Sequence, residues 1–464
     1  MSLQFYNTMA RRLEPFAPLE PGHVRLYTCG PTVYNHAHIG NFRAYVFEDL
    51  LRRYLKYRGY RVTQVMNLTD VDDKTIRSAR AQNLPLKQFT QPYVEAFFQD
   101  LQTLRIERAE HYPAATDHVP EMIELIRRLF AKGVAYQSAD GSIYFSIAKF
   151  PAYGRLAHLD MAGLKAGARV AQDEYDKENA SDFALWKAWD EKDGEVAWDS
   201  PWGRGRPGWH LECSAMSMKY LGESFDLHTG GVDNIFPHHE DEIAQAEAAT
   251  GKPFVKYWLH CAHLVVDGRK MSKSLGNFHT LRDLLARGYS GREIRCALLA
   301  AHYRQTLNFT FDSLDAARAA LQRADEFRER LAGGSAAAPA ALPAWAQEAR
   351  TRFEAALDDD LNISAALGAL FDLIHAGNKA MDGRPVTPGE LAAVAALWQD
   401  LDRVLGCLQP DAAPMDPELT ALMERRLAAR QAKNWPEADR IRAELAARGW
   451  VVQDTPQGPK LKKL

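Results

Sequence analysis

Residues 24–41 read VRLYTCGPTVYNHAHIGN, and this stretch decides the fold of the first part of the chain. Val24–Thr28 predicts a buried strand, and an apolar stripe from about Gly40 to Tyr57 predicts a long helix after it. Arg61–Met66 predicts the next strand. Such a succession implies parallel pairing, and parallel sheets bind ligands at the carboxyl ends of their strands. The sequence therefore predicts a Rossmann-like α/β domain whose site follows residue 28.

The pattern of apolar and turn-forming residues predicts further elements downstream. We expect a helix over Glu121–Lys132, a hairpin over Ala135–Ser146, a polar loop over Asp173–Gly208, a strand over Phe225–Thr229, a helix over about Pro237–Ala249, and an Ala-rich helical region beyond Ser313.

Two composition breaks, GGSAAAPAALP at 333–343 and a three-proline stretch at 409–417, help to divide the chain. We predict a parallel-sheet domain of residues 1–112 and 207–265, an insertion domain of residues 113–206, a connecting region of residues 266–312 with a basic loop, a helical region of residues 313–408, and a small basic C-terminal domain of residues 418–464.

Charge and cysteine usage limit the class of protein. The net charge of the 464 residues is −3, yet residues 421–464 carry ten Lys/Arg and five Asp/Glu. A basic end on an acidic chain fits local contact with phosphates, although a solvated helix with a Lys-rich tail gives the same count. Five scattered cysteines form no disulfide framework, which indicates a reducing compartment, the cytoplasm. We find neither a signal peptide nor a membrane span.

The tetrapeptide His38-Ile39-Gly40-Asn41 lies where the first strand gives way to the helix. A helix N-terminus presents N–H groups and partial positive charge, which suits phosphate. Gly40 lets a nucleotide approach the backbone, while His38 and Asn41 can donate hydrogen bonds to phosphate oxygens. The alternative is that His38 and Asn41 only cap the helix.

A second motif, KMSKS at residues 270–274, lies between Gly268 and Gly276. Lys270 and Lys273 would make it a mobile cationic loop that follows the charge developing on a pyrophosphate leaving group. An exposed basic turn is the alternative. Together with residues 38–41, however, the motif predicts a nucleotide site split between two distant segments.

A candidate metal site combines four distant residues. In PHHEDE (237–242), His238 and Glu242 are an imidazole and a carboxylate at i and i+4, hence on one face of a helix. Cys29 and Cys213 each lie beside a segment rich in functional residues, and zinc accepts all three ligand types. The alternatives are buried packing of each cysteine and a capped acidic first turn.

The segment Gly230-Gly231-Val232-Asp233 follows the predicted strand Phe225–Thr229. Two glycines allow close approach of a ribose, with Asp233 as the acceptor for its hydroxyls. An Asp after two glycines is also common turn chemistry.

These motifs occur in one order, and the chain thereby resembles the class I aminoacyl-tRNA synthetases, and closely the cysteine–tRNA ligases. The resemblance runs nearly end to end, through CGPTVYNHAHIGN (29–41), NLTDVDDK (67–74), GWHLECSAM (208–216), GGVDNIFPHHEDEIAQ (230–245), KMSKSLGN (270–277), DDDLNISAAL (358–367) and NWPEADRIR (434–442). One departure is Asn41, where the class signature usually ends in His. Asn keeps a donor but cannot carry charge.

The resemblance implies roles for individual residues. One zinc ion would be bound by Cys29, Cys213, His238 and Glu242. Catalytic contacts to the ATP phosphates and the transition state would come from His38, Asn41, Lys270 and Lys273. Further ATP contacts would come from Gly40, Gly231, Asp233 and Lys273. The pocket for the cysteine side chain would include Cys29, Trp209 and His228.

The implied reaction activates L-cysteine with ATP, with Mg, to cysteinyl-adenylate and transfers it to the terminal ribose of tRNA(Cys). Shape barely separates cysteine from serine, since one small group is worth about 1–3 kcal/mol. Acidity separates them, because metal coordination deprotonates a thiol. By the same resemblance the helical region and C-terminal domain would bind tRNA, and the chain would be a monomer. Trp435 is flanked by Lys433 and Arg440, so it would either stack on a base or anchor a helix.

Three other functions fit parts of the sequence. The first alternative is a ligase that joins cysteinyl-adenylate to an amino sugar, although such an acceptor needs no basic C-terminal domain. The second is a structural zinc protein with a nucleotide-binding module and no catalysis. The third is a synthetase paralogue that binds only RNA. Release of pyrophosphate would exclude the second, and ATP–pyrophosphate exchange without tRNA would exclude the third.

Overall fold

The computed structural model describes residues 2–159, 182–334, 337–383, 386–410, 417–432, 434–455 and 458–463. The chain forms two compact units, Met1–Gln409 and Pro410–Leu464.

A four-stranded parallel sheet lies at the centre of the first unit. Its strands, in spatial order, are Val255–Cys261, Phe225–Gly231, His23–Thr28 and Arg61–Met66. Both faces are covered, so the central strands are almost fully buried, as is usual for parallel sheets. The predicted α/β class is confirmed.

The helix Ile39–Tyr57 joins two of these strands and packs against the sheet. Phe42, Val46 and Leu50 recur at helical spacing and are buried, so this stripe forms the interface. Among the described residues of the first unit, the other α-helices are Asp73–Ala81, Leu86–Thr103, Val119–Ala131, Trp209–Leu221, Glu240–Thr250, Leu281–Ala286, Gly291–Leu298, Phe311–Leu331, Ala344–Asp358, Ile363–Gly383 and Pro388–Leu405.

A second, antiparallel sheet is formed by Ala135–Gln137, Ile143–Phe145, Phe183–Ala188 and Gly205–Pro207. The predicted hairpin over residues 135–146 is confirmed. The prediction of a loop over Asp173–Gly208 is wrong for its two strands, while residues 173–181 lie outside the described residues. Phe183–Ala188 is buried on both faces, so it lacks the alternation that identifies a half-exposed strand.

Smaller sheets complete the first unit. Gln4–Asn7 pairs with Arg12–Pro15, and Leu264–Val266 lies between Arg269–Lys270 and Leu307–Phe309. One apolar core runs from the parallel sheet into the predicted helical region, which is confirmed as helical.

The second unit contains the helices Pro417–Gln431 and Trp435–Ala447 and an antiparallel pair of strands, Trp450–Thr455 and Gly458–Lys463. Its small core includes Leu422, Ile441 and Leu445. Among the described residues of the whole chain, no helix is both long and apolar enough to cross a membrane.

Candidate functional site

A cavity of about 700 Å³ lies beyond the carboxyl ends of the strands His23–Thr28 and Phe225–Gly231. This is where a parallel sheet is expected to bind its ligand. Most of the predicted site residues line it: Cys29, His38, Gly40, Asn41, Trp209, Cys213, Gly231, Asp233, His238 and Lys270.

Three predicted residues are placed differently. Glu242 and His228 are fully buried, and His228 Nε2 lies 2.9 Å from Glu242 Oε2. His228 thus lies behind Glu242, with its ring stacked on Trp258 at 4.6 Å between centroids. The side chain of Lys273 falls outside the described residues.

His38 and Asn41 form a reciprocal cap on the helix Ile39–Tyr57. Asn41 N donates to His38 Nδ1 at 3.3 Å, and His38 N donates to Asn41 Oδ1 at 3.0 Å. The cap uses only one polar atom of each side chain, so His38 Nε2 and Asn41 Nδ2 are not part of it. Burial lowers the pKa of His38, which keeps its imidazole neutral. Capping and ligand binding are therefore compatible.

The basic loop and the first motif meet at one edge of the cavity. Ile39 N donates to the carbonyl oxygen of His279 at 3.0 Å, and the His38 ring contacts Phe278 at 5.2 Å. A Cβ on Gly40 would lie 3.3 Å from Met271 and 3.0 Å from the His38 ring, so glycine permits this close packing. The two halves of the predicted nucleotide site are brought together.

The floor of the cavity gathers sulfur, nitrogen and oxygen ligand atoms. Cys29, His238, His239 and Glu242 each offer a metal-ligand atom, and these atoms all lie within 4.8 Å of one another. Cys29 Sγ is 3.3 Å from His239 Nε2, and Glu242 Oε1 is 3.1 Å from His238 Nε2. Cys213 is buried and lines the same cavity as Cys29 and His238. We refer to these five residues as the donor cluster.

Burial keeps the donor cluster uncharged. It lowers the pKa of His238 to about 3 and raises that of Glu242 to about 8. The pKa of Cys29 is also raised: the hydrogen bond with Cys213 lowers it, but burial and the nearby Glu242 carboxylate outweigh that bond. Neutral imidazole is the form that binds metal, whereas buried thiolates and carboxylates need a compensating cation.

One buried oxygen points to a metal ion. Glu242 Oε1 is inaccessible and makes no hydrogen bond within the described part of the chain. Leaving such an acceptor unsatisfied is costly. The opposite nitrogen of His238, Nδ1, lies 2.8 Å from His210 Nδ1, which orients the ring as outer partners of metal ligands do. The donor set therefore fits zinc, which binds thiolate, imidazole and carboxylate.

His239 was missed by sequence reasoning, which placed residues 238 and 242 on one helical face. The α-helix begins only at Glu240, and Ile235–His239 form a wider turn that includes a non-helical residue. The helical period therefore does not apply across the turn, and both histidines reach the cluster. His239 Nδ1 in turn lies 2.8 Å from His260 Nε2.

The last two residues of the strand Phe225–Gly231 are glycines with close neighbours. A Cβ on Gly230 would meet the His239 ring at 2.8 Å, and one on Gly231 would meet Asp233 Oδ1 at 2.3 Å. Asp233 itself lines the cavity. The segment therefore brings a carboxylate and bare backbone to the same wall.

Comparison with known proteins defines the class. Residues 15–319 match the tRNA synthetases class I (C) catalytic domain. Mycobacterium tuberculosis methionyl-tRNA synthetase in complex with methionyl-adenylate has a similar structure, with a TM-score of 0.63 at 15% identity, covering 86% of this chain and 94% of that one. The agnB2 LeuRS of Agrobacterium radiobacter K84, in a ternary complex with tRNA and LeuAMS, gives 0.60 at 12% identity over 84% and 85%. The fold is that of a class I aminoacyl-tRNA synthetase.

The remaining matches define the family. Residues 352–409 match the DALR domain, and residues 413–459 match the Cysteinyl-tRNA ligase anticodon binding domain. The Cysteine--tRNA ligase of Protochlamydia amoebophila (strain UWE25) is 51% identical over 99% of this chain and 98% of its own length, and that of Chlamydia pneumoniae is 52% identical over 100% and 98%. The chain belongs to the cysteine–tRNA ligase family and is a ligase. The amino-sugar alternative receives no support.

Proposed function

We propose that the chain activates L-cysteine with ATP, transfers it to the 3′-terminal ribose of tRNA(Cys), and uses zinc at the floor of the cavity to select the substrate thiolate. The donor cluster carries this proposal, because three of its five members line the same cavity as His38, Asn41 and Lys270. We further infer that ATP acts with Mg and that the enzyme works as a cytoplasmic monomer.

Cys29, Cys213, His238 and Glu242 would hold the zinc. His239 would support Cys29, because its Nε2 contacts the thiol while its Nδ1 is engaged with His260. When bound, zinc supplies a Lewis acid that favours the deprotonated form of a coordinated thiol. The residues around it hold the ligands in place and exclude water.

Selection against serine follows from the chemistry of this floor. A thiol has an ordinary pKa of about 8.5 and is converted to thiolate far more readily than an alcohol is to alkoxide. Trp209 stacks on the His238 ring at 4.4 Å and lines the cavity, so it limits the space beside the ligands. Shape thus restricts size, and acidity distinguishes sulfur from oxygen.

Activation needs positioning and charge stabilisation. An oxygen of the cysteine carboxylate attacks the α-phosphorus of ATP, and the bond to the β-phosphate breaks to release pyrophosphate. The helix end at His38 and Asn41 would hold the phosphates, Asp233 the ribose, and the basic loop with Lys270 and Lys273 the departing charge.

Transfer then requires tRNA. A hydroxyl of the terminal ribose attacks the acyl carbon and AMP leaves, so no protein nucleophile is needed. The DALR and anticodon-binding matches support tRNA recognition by residues 352–409 and 413–459. In the second unit Trp435 is 56% exposed, which supports base stacking over the role of a helix anchor.

Incorporation of labelled cysteine into total tRNA, with ATP and purified zinc-loaded protein, tests the function. We expect cysteine to be incorporated and serine to give no signal. Equal labelling by serine would contradict selection of the thiolate, and absence of labelling would contradict transfer to tRNA.

A further inference from the structure

One buried carboxyl group in the cavity is only half satisfied. Glu48 lies on the helix Ile39–Tyr57, is 1% exposed, and lines the cavity of the candidate site. Its Oε1 accepts a hydrogen bond from Thr229 Oγ1 at 3.0 Å, whereas its Oε2 has no hydrogen-bond partner among the described residues. An unsatisfied buried carboxyl is costly, so this wall of the cavity suits a ligand that donates hydrogen bonds.

Thr229 connects this carboxyl to the donor cluster. Its hydroxyl donates to Glu48, and its carbonyl oxygen accepts a hydrogen bond from Cys29 N at 3.4 Å. Gly230 and Gly231 follow Thr229 in the same strand and line the cavity without side chains. Glu48 and Cys29 are therefore both bonded to one residue, which holds the carboxyl close to the floor of the cavity.

The surroundings of Glu48 define what it can accept. Burial raises the pKa of Glu48 to about 8, and the bond from Thr229 is the interaction that opposes this shift. Among the described residues, no positive charge compensates the ionised carboxyl. An ammonium group would supply both a positive charge and hydrogen-bond donors, so it would favour the carboxylate and satisfy Oε2.

We propose that Glu48 binds the α-ammonium group of the substrate cysteine. This proposal rests on the function proposed above, because the substrate sulfur must be bound at the donor cluster. In cysteine only Cα and Cβ separate the nitrogen from the sulfur, so a sulfur held beside Cys29 places the nitrogen in the part of the cavity that Glu48 lines. A buried ammonium also needs a counter-charge, which the substrate's own carboxylate no longer provides once it has become the adenylate.

The other carboxyl groups near the cavity are engaged differently. Glu242 belongs to the donor cluster, where its two oxygens face the rings of His238 and His228. Among the described residues that line the cavity, Glu48 and Asp233 are the only acidic ones. Asp233 is proposed to hold the ribose of ATP, so Glu48 is the carboxyl left for the amino acid.

Two features of the substrate would then be recognised by two different groups. Zinc would select a thiolate over an alcohol, and Glu48 would select a free α-ammonium over a thiol that lacks one. A thiol acid without an amino group would leave Oε2 of Glu48 unsatisfied. Sites built to pair a polar group of the substrate reject analogues that lack this group more strongly than apolar pockets reject a change in size.

The test compares L-cysteine with 3-mercaptopropionate, which keeps the thiol and the carboxylate but has no ammonium group. Binding of each ligand to full-length, zinc-loaded protein is measured by calorimetry without ATP or tRNA. We expect Glu48→Gln to weaken binding of L-cysteine by about 10- to 100-fold, the effect of losing one charged hydrogen bond, and to leave binding of 3-mercaptopropionate unchanged.

Thr229→Val is the second variant, because it keeps the shape of the side chain but removes the hydrogen bond to Oε1 of Glu48. It should weaken L-cysteine binding less than Glu48→Gln does, again without an effect on 3-mercaptopropionate. Both variants should keep one zinc per chain by elemental analysis. If Glu48→Gln does not fold, Glu48→Met, which is apolar and of similar length, replaces it.

The outcomes distinguish this proposal from the function on which it rests. If Glu48→Gln and the unmodified sequence bind L-cysteine equally well, the role of Glu48 is overturned while the proposed function stands. Equal losses for both ligands would make Glu48 a structural support of the cavity, and a loss in Asp233→Asn but not in Glu48→Gln would assign the ammonium to Asp233. Either result would overturn the proposal. If the unmodified sequence binds neither ligand, the proposed function fails, and the role of Glu48 fails with it.

Discussion

The donor cluster and the basic loop border one cavity but are built in opposite ways. His239 and Glu242 are 0% exposed, and each has further partners behind it. In the loop Lys270 is exposed and Leu275 is 56% exposed, and the side-chain bonds run mainly among Ser272, Ser274 and Asn277.

The difference matches what each region must do. Discrimination between sulfur and oxygen depends on ligand atoms placed within a fraction of an ångström, so the floor is held from several directions. Charge on a leaving group moves during the reaction, so cations that follow it need a mobile support. We therefore expect substitutions in the floor to affect metal binding and selectivity, and substitutions in the loop to affect the rate of activation.

The largest effect should follow Cys213→Ser, because a serine hydroxyl replaces a zinc ligand. We expect less than one zinc per chain by elemental analysis. Cysteine-dependent ATP–pyrophosphate exchange should fall by about 1000-fold or more, since Lewis-acid contributions amount to several kcal/mol.

His239→Gln is the matched control, because His239 lies in the donor cluster but is proposed to support Cys29. We expect this variant to keep one zinc per chain. If Cys213→Ser kept its zinc and His239→Gln lost it, His239 and not Cys213 would be the zinc ligand.

The second effect concerns the loop. Lys273→Ala should lower adenylate formation by about 100- to 1000-fold, the cost of losing one preorganised charge stabiliser, while cysteine binding stays unchanged. Adenylate formation is measured in a single turnover, and cysteine binding is measured separately at equilibrium.

Lys87→Ala, which removes an exposed lysine from the helix Leu86–Thr103, is the control and should leave both quantities unchanged. Equal losses in adenylate formation and cysteine binding for Lys273→Ala would contradict the proposal that the loop affects only the rate of activation.

The sequence predicted elements well where one periodicity extends over a whole element. His23–Thr28 and Ile39–Tyr57 differ from their predicted bounds by about one residue, because each has a continuous apolar pattern. The strand Phe183–Ala188 was missed, because burial on both faces removes its alternation. The same limit applies to the donor cluster: residue types identified four members, but a non-helical turn brought in His239.

A third, smaller effect lies in the second unit. Trp435→Ala should weaken tRNA binding by about 1–3 kcal/mol, the cost of losing one stacked base, with normal ATP–pyrophosphate exchange. This result would show that tRNA binding can be weakened without a change in the donor cluster or the basic loop. Of the two basic residues near Trp435 in the sequence, Lys433 lies outside the described residues, and Arg440 Nε donates to Glu437 Oε2 at 2.8 Å.

Leu427→Ala is the control for Trp435→Ala, because Leu427 is a second exposed apolar residue of the same unit. It should leave the KM for tRNA unchanged. A normal KM for Trp435→Ala in a folded protein would exclude stacking at this position.

The acidic side chain of Glu48 is buried where it lines the cavity, and this burial makes its ionised form costly. It lies on the helix Ile39–Tyr57, is 1% exposed, and accepts a hydrogen bond from Thr229 Oγ1 at 3.0 Å through Oε1. Its Oε2 has no hydrogen-bond partner within the described part of the chain. Burial raises the pKa of Glu48 to about 8, and the bond from Thr229 offsets this only in part.

The fourth effect concerns stability and not activity, because the free energy of unfolding depends on pH through Glu48. In the unfolded chain the pKa of Glu48 is about 4.3, so the folded chain binds this proton more tightly. The free energy of unfolding therefore falls as pH rises from about 4.3 to about 8, and it levels off above that. Glu48→Gln removes a slope of at most about 1.4 kcal/mol per pH unit. Denaturant unfolding across this range should show its advantage growing with pH, whereas Glu326→Gln, at an exposed helix position, should follow the unmodified sequence. Parallel profiles for Glu48→Gln and the unmodified sequence would mean that Glu48 is ionised in the folded protein.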